Sequence, residues 1–511
     1  MIDKKIENII IIGGGIGGLF TGALLAKEGF SVTILEKNAI IGGGLQSFQR
    51  FGISFDTGMH ILGGFKNDGS IFKICNYLNI LQKIKLQDID PECMDQITFL
   101  SDNRTFRIPE GKDHFIAYFQ NEFPEEKENI FNYVNKLFQL SDEVPLFSLK
   151  TSNTNELAHD EWFFKPADEL ICHYIKDKKL QEVLAYMNPM CGGIAGHTPS
   201  YIFALINTLY IKGQSRFVGS TIQLANALAN VITENNGRVL HNEAVVNVII
   251  EDKEISKVIT SQGNEYSADL FISAIHPSSF LQLTENKLFT KAYRNRINDA
   301  KNTYSSFIVF IKFKPNSFKY INHPCYLQKD YSKSWKHGEY DEHNWPHGFI
   351  YLTPCVENQG EYASSMEILA MMPFSSCEKW KNTSVENRGK EYKNWKKKHI
   401  HKILDIMNAV YPDFENHIEG IFSSSPLTIR DFYNVPEGAL YGIAKDSQDL
   451  HSGFISIHTK ATNLLQTGQN VYLHGCCGVP LTAINTAEVI VGKDIIVNKI
   501  NKAFENIASK E

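Results

Sequence analysis

The sequence has no basic excess: 51 lysines and arginines stand against 57 aspartates and glutamates, a formal net charge of −6. Bulk attraction to phosphate backbones, which dominates nucleic-acid binding, is therefore excluded as its main business. Paired cysteines are also missing. The nine present, scattered from Cys75 to Cys477, are odd in number and show no CxxC spacing. This argues against a disulfide framework or a zinc site and for reduced thiols in a cytoplasm-like compartment, with no metal expected. No apolar run approaches the roughly 18 residues of a spanning helix. The nearest, Val471 to Val491, is interrupted by His474, Asn485 and Glu488 and reads as a buried helix with its entry loop, so any membrane association is expected to be peripheral. Nothing at the start reads as a signal peptide, because Ile9 to Ile12 follows mixed charges and passes straight into glycines. What is present is a hydrophobic fraction of 43% and an aromatic fraction of 12%, enough for a substantial core. At about 150 residues per domain the chain suggests about three units, or two interleaved ones.

The opening reads as strand Asn8 to Ile12, turn Gly13 to Gly18, helix Leu19 to Glu28 and strand Ser31 to Leu35, which is one βαβ unit. A second block places a helix over Gly219 to Glu234 and strands over Ala244 to Ile250, Lys257 to Thr260 and Asp269 to Ala274. A third, from about Asn470 to Ile500, reads as a strand end, a glycine turn and a long helix. Between them lie two long stretches rich in aromatics and without a phosphate-type glycine loop. The expectation is an α/β protein: a Rossmann-type dinucleotide-binding domain assembled from residues 1–65, 213–280 and 430–511, with an interleaved mixed α+β substrate domain from 66–212 and 281–429.

The strongest motif is Gly13-x-Gly15-x-x-Gly18 between strand and helix, with Glu36 closing the next strand. Gly13 permits the tight turn, Gly15 lets the backbone approach a pyrophosphate, and Gly18 lets helix and strand pack closely. The helix N-terminus offers unpaired N–H groups to the phosphates, and Glu36 can accept both ribose hydroxyls of an adenosine. Further on come Gly42-Gly43-Gly44 and Phe55-Asp56-Thr57-Gly58-Met59-His60, a backbone path suited to a cofactor longer than a nicotinamide dinucleotide. In these segments the chain resembles the FAD-dependent superfamily of phytoene desaturases, carotenoid isomerases and retinol saturases, itself related to the flavin amine oxidases. The Phe-Asp-Thr-Gly-x-His run is most similar to the retinol saturase and carotenoid isomerase branch. One departure is that Gly44 and Leu45 stand where many members carry a basic residue after the paired glycines.

The C-terminal run from Thr467 to Ala483 resembles the superfamily's final flavin-binding motif, with Asn470 where an acid is commoner and Pro480 expected in the first turn of a helix. Such a helix would point its positive end at the flavin. The middle block resembles the segment whose backbone contacts the adenine, through Val245 or Val246. The resemblance thus implies FAD, held by Gly13, Gly15, Gly18, Glu36, Gly43, Gly44, Asp56, Gly58, Val245, Gly468, Asn470 and Gly478. His60 and His474 are the candidates for moving a proton near the flavin. Arg430, Asp431 and Glu437 lie in a segment resembling the superfamily's strand back to the flavin, where Arg and Asp could equally pair with each other.

The activity implied is reduction, desaturation or isomerisation of a carbon–carbon double bond in an isoprenoid or polyene lipid, with an electron donor or acceptor as partner and a tilt towards reduction or isomerisation. A flavin amine oxidase is the enzyme alternative, and a redox-inactive prenyl-lipid-binding protein of the same fold is the other. Phe147, Trp162, Phe163, Phe164, Tyr201, Phe203, Tyr210 and Phe217 suit an apolar tunnel or a plain core, and Trp162-Phe163-Phe164 is the candidate for a surface patch that meets lipid.

Overall fold

The computed structural model describes residues 5–58, 61–66, 68–151 and 159–508. Its first sheet is five-stranded and wholly parallel, in the order Arg238–Leu240, Ser31–Leu35, Asn8–Ile12, Leu270–Ser273, Leu464–Gln466. The four isoleucines of the central strand are all buried, as β-branched residues covered on both faces of a parallel sheet should be. Helix Ile16–Lys27 is buried continuously from Gly17 to Ala26. It has no solvent face because helices Ile222–Glu234 and Gly475–Val491 pack against it.

A second sheet of seven strands runs Ile418–Ser424, Ser305–Phe313, Ser365–Met372, Gly348–Leu352, Cys325–Gln328, Asp95–Phe99, Arg104–Ile108. Its strands pair antiparallel except for Cys325–Gln328 with Asp95–Phe99. The long helix Gly389–Val410 covers one face over a core that includes Phe307, Trp345 and Met407. The fold is therefore α/β: a Rossmann-like sheet whose strands come from three separated parts of the chain, beside a mixed sheet built from the stretches between them. Among the described residues no single helix is long and apolar enough to cross a membrane.

Three local expectations need correction. Arg430 and Asp431 lie on a helix, Pro426–Tyr433, and not on a strand. Ser425 closes this helix with a capping box to Thr428, a signal outweighed in the sequence by the apparent strand pattern. Asp431 there accepts from Arg430 Nε at 2.7 Å and pairs with the buried Arg388, so the two residues serve structure, and Glu437 is exposed. Pro480 sits inside helix Gly475–Val491 and not in its first turn, because the helix begins five residues earlier with His474 as N-cap. The ring removes the N–H that would bond the Cys476 carbonyl. Trp162-Phe163-Phe164 is no surface patch: Phe163 is buried, stacked between His159 at 3.9 Å and Tyr201 at 4.5 Å, and the half-buried Trp162 and Phe164 pack against the main core.

The tightest point of the first βαβ unit is Gly18, where a Cβ would lie 2.0 Å from the Gly13 carbonyl oxygen. Backbone, unlike a side-chain tip, cannot swing aside. Gly18→Ala is expected to destabilise the protein by about 1–3 kcal/mol or more. At Gly360 a Cβ meets nothing within 4 Å, so Gly360→Ala should stay within about 0.5 kcal/mol of the parent. Urea unfolding of the two variants checks the contrast, and equal midpoints would refute it.

Candidate active site

Gly13 adopts φ +107 and its N–H donates to the Leu35 carbonyl at 2.9 Å, turning the chain from strand into helix. Gly15 is the N-cap of helix Ile16–Lys27, whose first N–H groups have no partner within the helix. The second glycine run docks on this loop: Gly42 N–H donates to Gly14 O at 2.7 Å, and a Cβ on Gly43 would lie 3.2 Å from Gly15 Cα. Glu36, buried at the strand end, accepts from Gly14 N–H through Oε2 and from Asn38 N–H through Oε1, each at 2.8 Å. Each oxygen keeps a further lone pair for a ribose hydroxyl. The Glu36 carbonyl in turn accepts from Glu243 N–H at 2.8 Å, which sets Ala244 and Val245 beside it, while Val246 turns outward, 52% exposed.

The C-terminal segment closes the ring. Gly468, at φ +95, runs so close to the helix start that a Cβ on Gly17 would lie 3.0 Å from Gly468 Cα. Asn470 is buried and its Oδ1 accepts from Ile443 N–H at 2.9 Å, so its carbonyl holds a neighbouring turn. Gly478 is forced by the fold-back of the helix on its entry loop, since a Cβ there would lie 2.6 Å from Leu473 Cβ.

Gly13, Gly15, Glu36, Gly43, Gly44, Gly58, Val245, Gly468, Asn470, Gly478 and His474 all line one cavity of about 470 Å³. Two expected cofactor residues do not. Gly18 lies behind the turn in the packing role described above. Asp56 is turned to the start of helix Ile222–Glu234, accepting from Ser220 Oγ at 2.8 Å and Thr221 N–H at 3.2 Å. His60 lies outside the described residues. Of the two residues after the paired glycines, Gly44 lines the cavity and Leu45 is fully buried in the core. Among the described residues Lys37 is the one lysine or arginine on the wall, which leaves phosphate recognition to backbone N–H groups and the helix dipole. A Cβ built on Gly15, Gly44 or Gly475 meets no atom within 4 Å, and with the Glu36 carboxylate these cradle positions fit a dinucleotide.

The other end of the cavity is apolar. Ile202, Leu205, Ile206 and Leu209 from helix Ser200–Ile211 face Ile308, Ile350, Leu352 and Leu369 from the seven-stranded sheet. Of the aromatics singled out in the sequence, Phe147 and Tyr210 reach this wall. Tyr433 and Tyr441 also line it. Tyr433 donates to the Thr57 carbonyl at 2.9 Å, and burial raises its hydroxyl to about 12. Sequence reasoning missed these two and Glu367, a wall residue whose available signal was a lone acid in the apolar run Ser365–Met372. His474 stands between the two ends, 5.0 Å from the Tyr441 ring and with its Nε2 unpartnered in the structure. Burial, reinforced by nearby Lys445, lowers its pKa to about 4. It is therefore neutral near pH 7, and the same desolvation makes its protonated form costly.

Fold and cavity together define a Rossmann-type dinucleotide-binding protein with an amine-oxidase-like architecture. The family model "NAD(P)-binding Rossmann-like domain" matches residues 11–78. The all-trans-retinol 13,14-reductase of Danio rerio is 23% identical over 95% of this chain and 86% of its own length. Prolycopene isomerase 2 of an Oncidium hybrid cultivar is 26% identical over 83% of this chain and 73% of its own. Among solved structures, cyclohexylamine oxidase from Brevibacterium oxydans superposes with a TM-score of 0.58, at 13% identity, over 99% of this chain and all of that one (100%). The chain is thus similar, at 23–26% identity over most of its length, to the all-trans-retinol 13,14-reductase and the prolycopene isomerase named above.

Two outcomes follow from this geometry. Glu36→Ala removes an acceptor that also holds Gly14 and Asn38, and losing a charge-assisted bond of this kind should weaken dinucleotide binding about ten- to a hundredfold. The amount of dinucleotide retained after exhaustive dialysis reads the effect, and undiminished occupancy would exclude the site. For His474 the folded pKa of about 4 lies below the ordinary 6.5, so its stabilising contribution is complete above pH 6.5 and is lost as pH falls towards 4. Calorimetric unfolding from pH 7.5 to 4 should show a stability decline that His474→Gln makes shallower, by up to about 1.4 kcal/mol per pH unit. An unchanged slope would mean that the ring is not held neutral.

Proposed function

We propose that the protein is an FAD-dependent oxidoreductase that reduces, desaturates or isomerises a carbon–carbon double bond in an isoprenoid or polyene lipid. The observation that carries this reading is the continuity of one cavity from the glycine cradle and Glu36 to the chamber between helix Ser200–Ile211 and the seven-stranded sheet. A long apolar chain entering the chamber would meet the cofactor end without crossing water. FAD would be held by Glu36, the turns at Gly13–Gly15 and Gly43–Gly44, the backbone at Val245 and the loop from Gly468 to Gly478, and it would supply two-electron redox chemistry. The chain's own contribution is to orient the substrate and exclude water. His474 offers a neutral imidazole at the junction, and His60, two residues past the wall residue Gly58, is the second candidate for proton movement.

The retinol reductases and prolycopene isomerases among the relatives favour reduction or isomerisation. The reading also expects an electron donor or acceptor, a cytoplasmic setting and at most peripheral membrane contact. Retention of the glycine cradle and of Glu36 favours an enzyme over a colourless lipid carrier.

The test uses purified protein, which should be yellow. Chemically reduced anaerobically and mixed with retinoid and carotenoid panels, it should yield saturated or isomerised polyenes resolved by chromatography. The oxidised protein should release little peroxide with primary amines. Robust peroxide from amines without polyene turnover would overturn the reading in favour of an amine oxidase, and protein lacking flavin that still binds isoprenoid would overturn it in favour of a carrier.

A further inference from the structure

Among the described residues three tyrosines line the cavity, and their hydroxyls are not in the same state. Tyr433 spends its O–H on the Thr57 carbonyl at 2.9 Å. The hydroxyls of Tyr210 and Tyr441 have no hydrogen-bond partner among the described residues. Tyr210 follows the aliphatic wall residues Ile202, Leu205, Ile206 and Leu209 on helix Ser200–Ile211, where that helix meets the C-terminal glycine loop. A Cβ on Gly64 would lie 3.3 Å from Leu209 Cδ1 and 3.6 Å from Cys477 Sγ. Tyr441 is tied to the same loop by its own segment. Its N–H donates to Thr303 Oγ1 at 3.0 Å, Ile443 N–H donates to Asn470 Oδ1 at 2.9 Å, and a Cβ on the intervening Gly442 would lie 2.2 Å from that oxygen. Its ring packs 5.0 Å from His474. Both phenols are thus held where the glycine cradle gives way to the apolar chamber.

Burial lifts both hydroxyls well above the ordinary value of about 10, with Cys476 and Tyr441 adding to the rise at Tyr210. They stay neutral O–H groups, each able to donate one hydrogen bond and accept others. Water satisfies such groups only until an apolar chain fills the chamber. A pure hydrocarbon at this level would displace the water and leave two buried donors unpaired, whereas a ligand oxygen would pair them. We infer that Tyr210 and Tyr441 select an oxygen-bearing substrate, an apolar chain whose alcohol or carbonyl oxygen accepts from these phenols at the cofactor end of the cavity. The hydrocarbon tail then lies along Ile202 and Leu205, away from the loop. The inference rests on the polyene reading given under Proposed function and narrows it: pure hydrocarbons are disfavoured, and the oxygen-bearing end lies beside the cofactor.

The test is equilibrium binding to the flavin-loaded protein, followed by quenching of tryptophan fluorescence, with two probes of matched chain: all-trans-retinol and the hydrocarbon in which a methyl replaces its alcohol-bearing carbon. Retinol should bind about tenfold or more tightly than the hydrocarbon. Tyr210→Phe and Tyr441→Phe keep the rings and lose only the hydroxyls. Each should lower that ratio, and the double variant should bring it close to one while binding the hydrocarbon at least as well as the parent. Retained hydrocarbon binding separates recognition from damage to the chamber, which would lose both probes. Flavin content of each variant shows whether the fold is intact, and the parent's own ratio stands as the test if a variant fails to fold. Equal binding of the two probes by the parent, or a preference that survives in the double variant, would overturn the selection while leaving the polyene reading intact. No binding of either probe would overturn both.

Discussion

One buried carboxylate organises the nucleotide end of the molecule. Glu36 takes an N–H from Gly14 on one side and from Asn38 on the other, while its own backbone donates to Leu240 and accepts from Glu243. Three stretches of chain, around residues 14, 36 and 240, are thereby fixed to each other within hydrogen-bond distance. The glycine turn could reach its shape without this, because Gly13 tolerates positive φ by itself. It could not hold a fixed distance from the strand that follows. The carboxylate thus serves the fold first, and the lone pairs left over face the cavity.

The second constraint is steric. Glycines at 17, 18, 43 and 478 each let one segment approach another more closely than a side chain would allow, so the cradle is made by backbone pressed on backbone. This explains why, among the described residues, the wall can manage with a single lysine. Backbone N–H groups aimed by packing are preorganised and need no mobile cation to close on a phosphate.

Much of this was legible in the sequence. The GxGxxG turn, the acid at 36 and the late glycine loop are local patterns with fixed spacing, and the strands Asn8–Ile12 and Leu270–Ser273 announce themselves as short β-branched or apolar runs. Less legible were features decided by contacts across the chain. Asp56 belongs to a family-like run yet spends its carboxylate on Ser220 and Thr221, more than 160 residues away. Trp162-Phe163-Phe164 looks exposed beside a charged stretch, but Tyr201 supplies the stacking partner that draws Phe163 inward. Pro480 suggested a helix start because local rules favour it there. The observed start at Gly475 is set by the loop from Gly468, and Thr482 helps fix it by accepting from Leu473 N–H at 3.1 Å. Glu367 escaped notice because a lone acid in a strand carries no motif, and its place on the cavity wall follows only from the register of two neighbouring strands.

The order of strands in the parallel sheet has a consequence for how the chain is made. Strand Leu270–Ser273 pairs on one side with Asn8–Ile12 and on the other with Leu464–Gln466, a partner that is synthesised long after it. Until then a buried, apolar strand presents an unsatisfied edge, the kind of surface that recruits other chains. A nascent or C-terminally truncated form ending before residue 464 would carry this open edge, and with it would lack the helix Gly475–Val491 that covers Ile16–Lys27. Termination before residue 464 would therefore create a sticky polypeptide rather than a smaller working one, and production of the protein depends on the ribosome reaching that strand before neighbouring chains find the open edge.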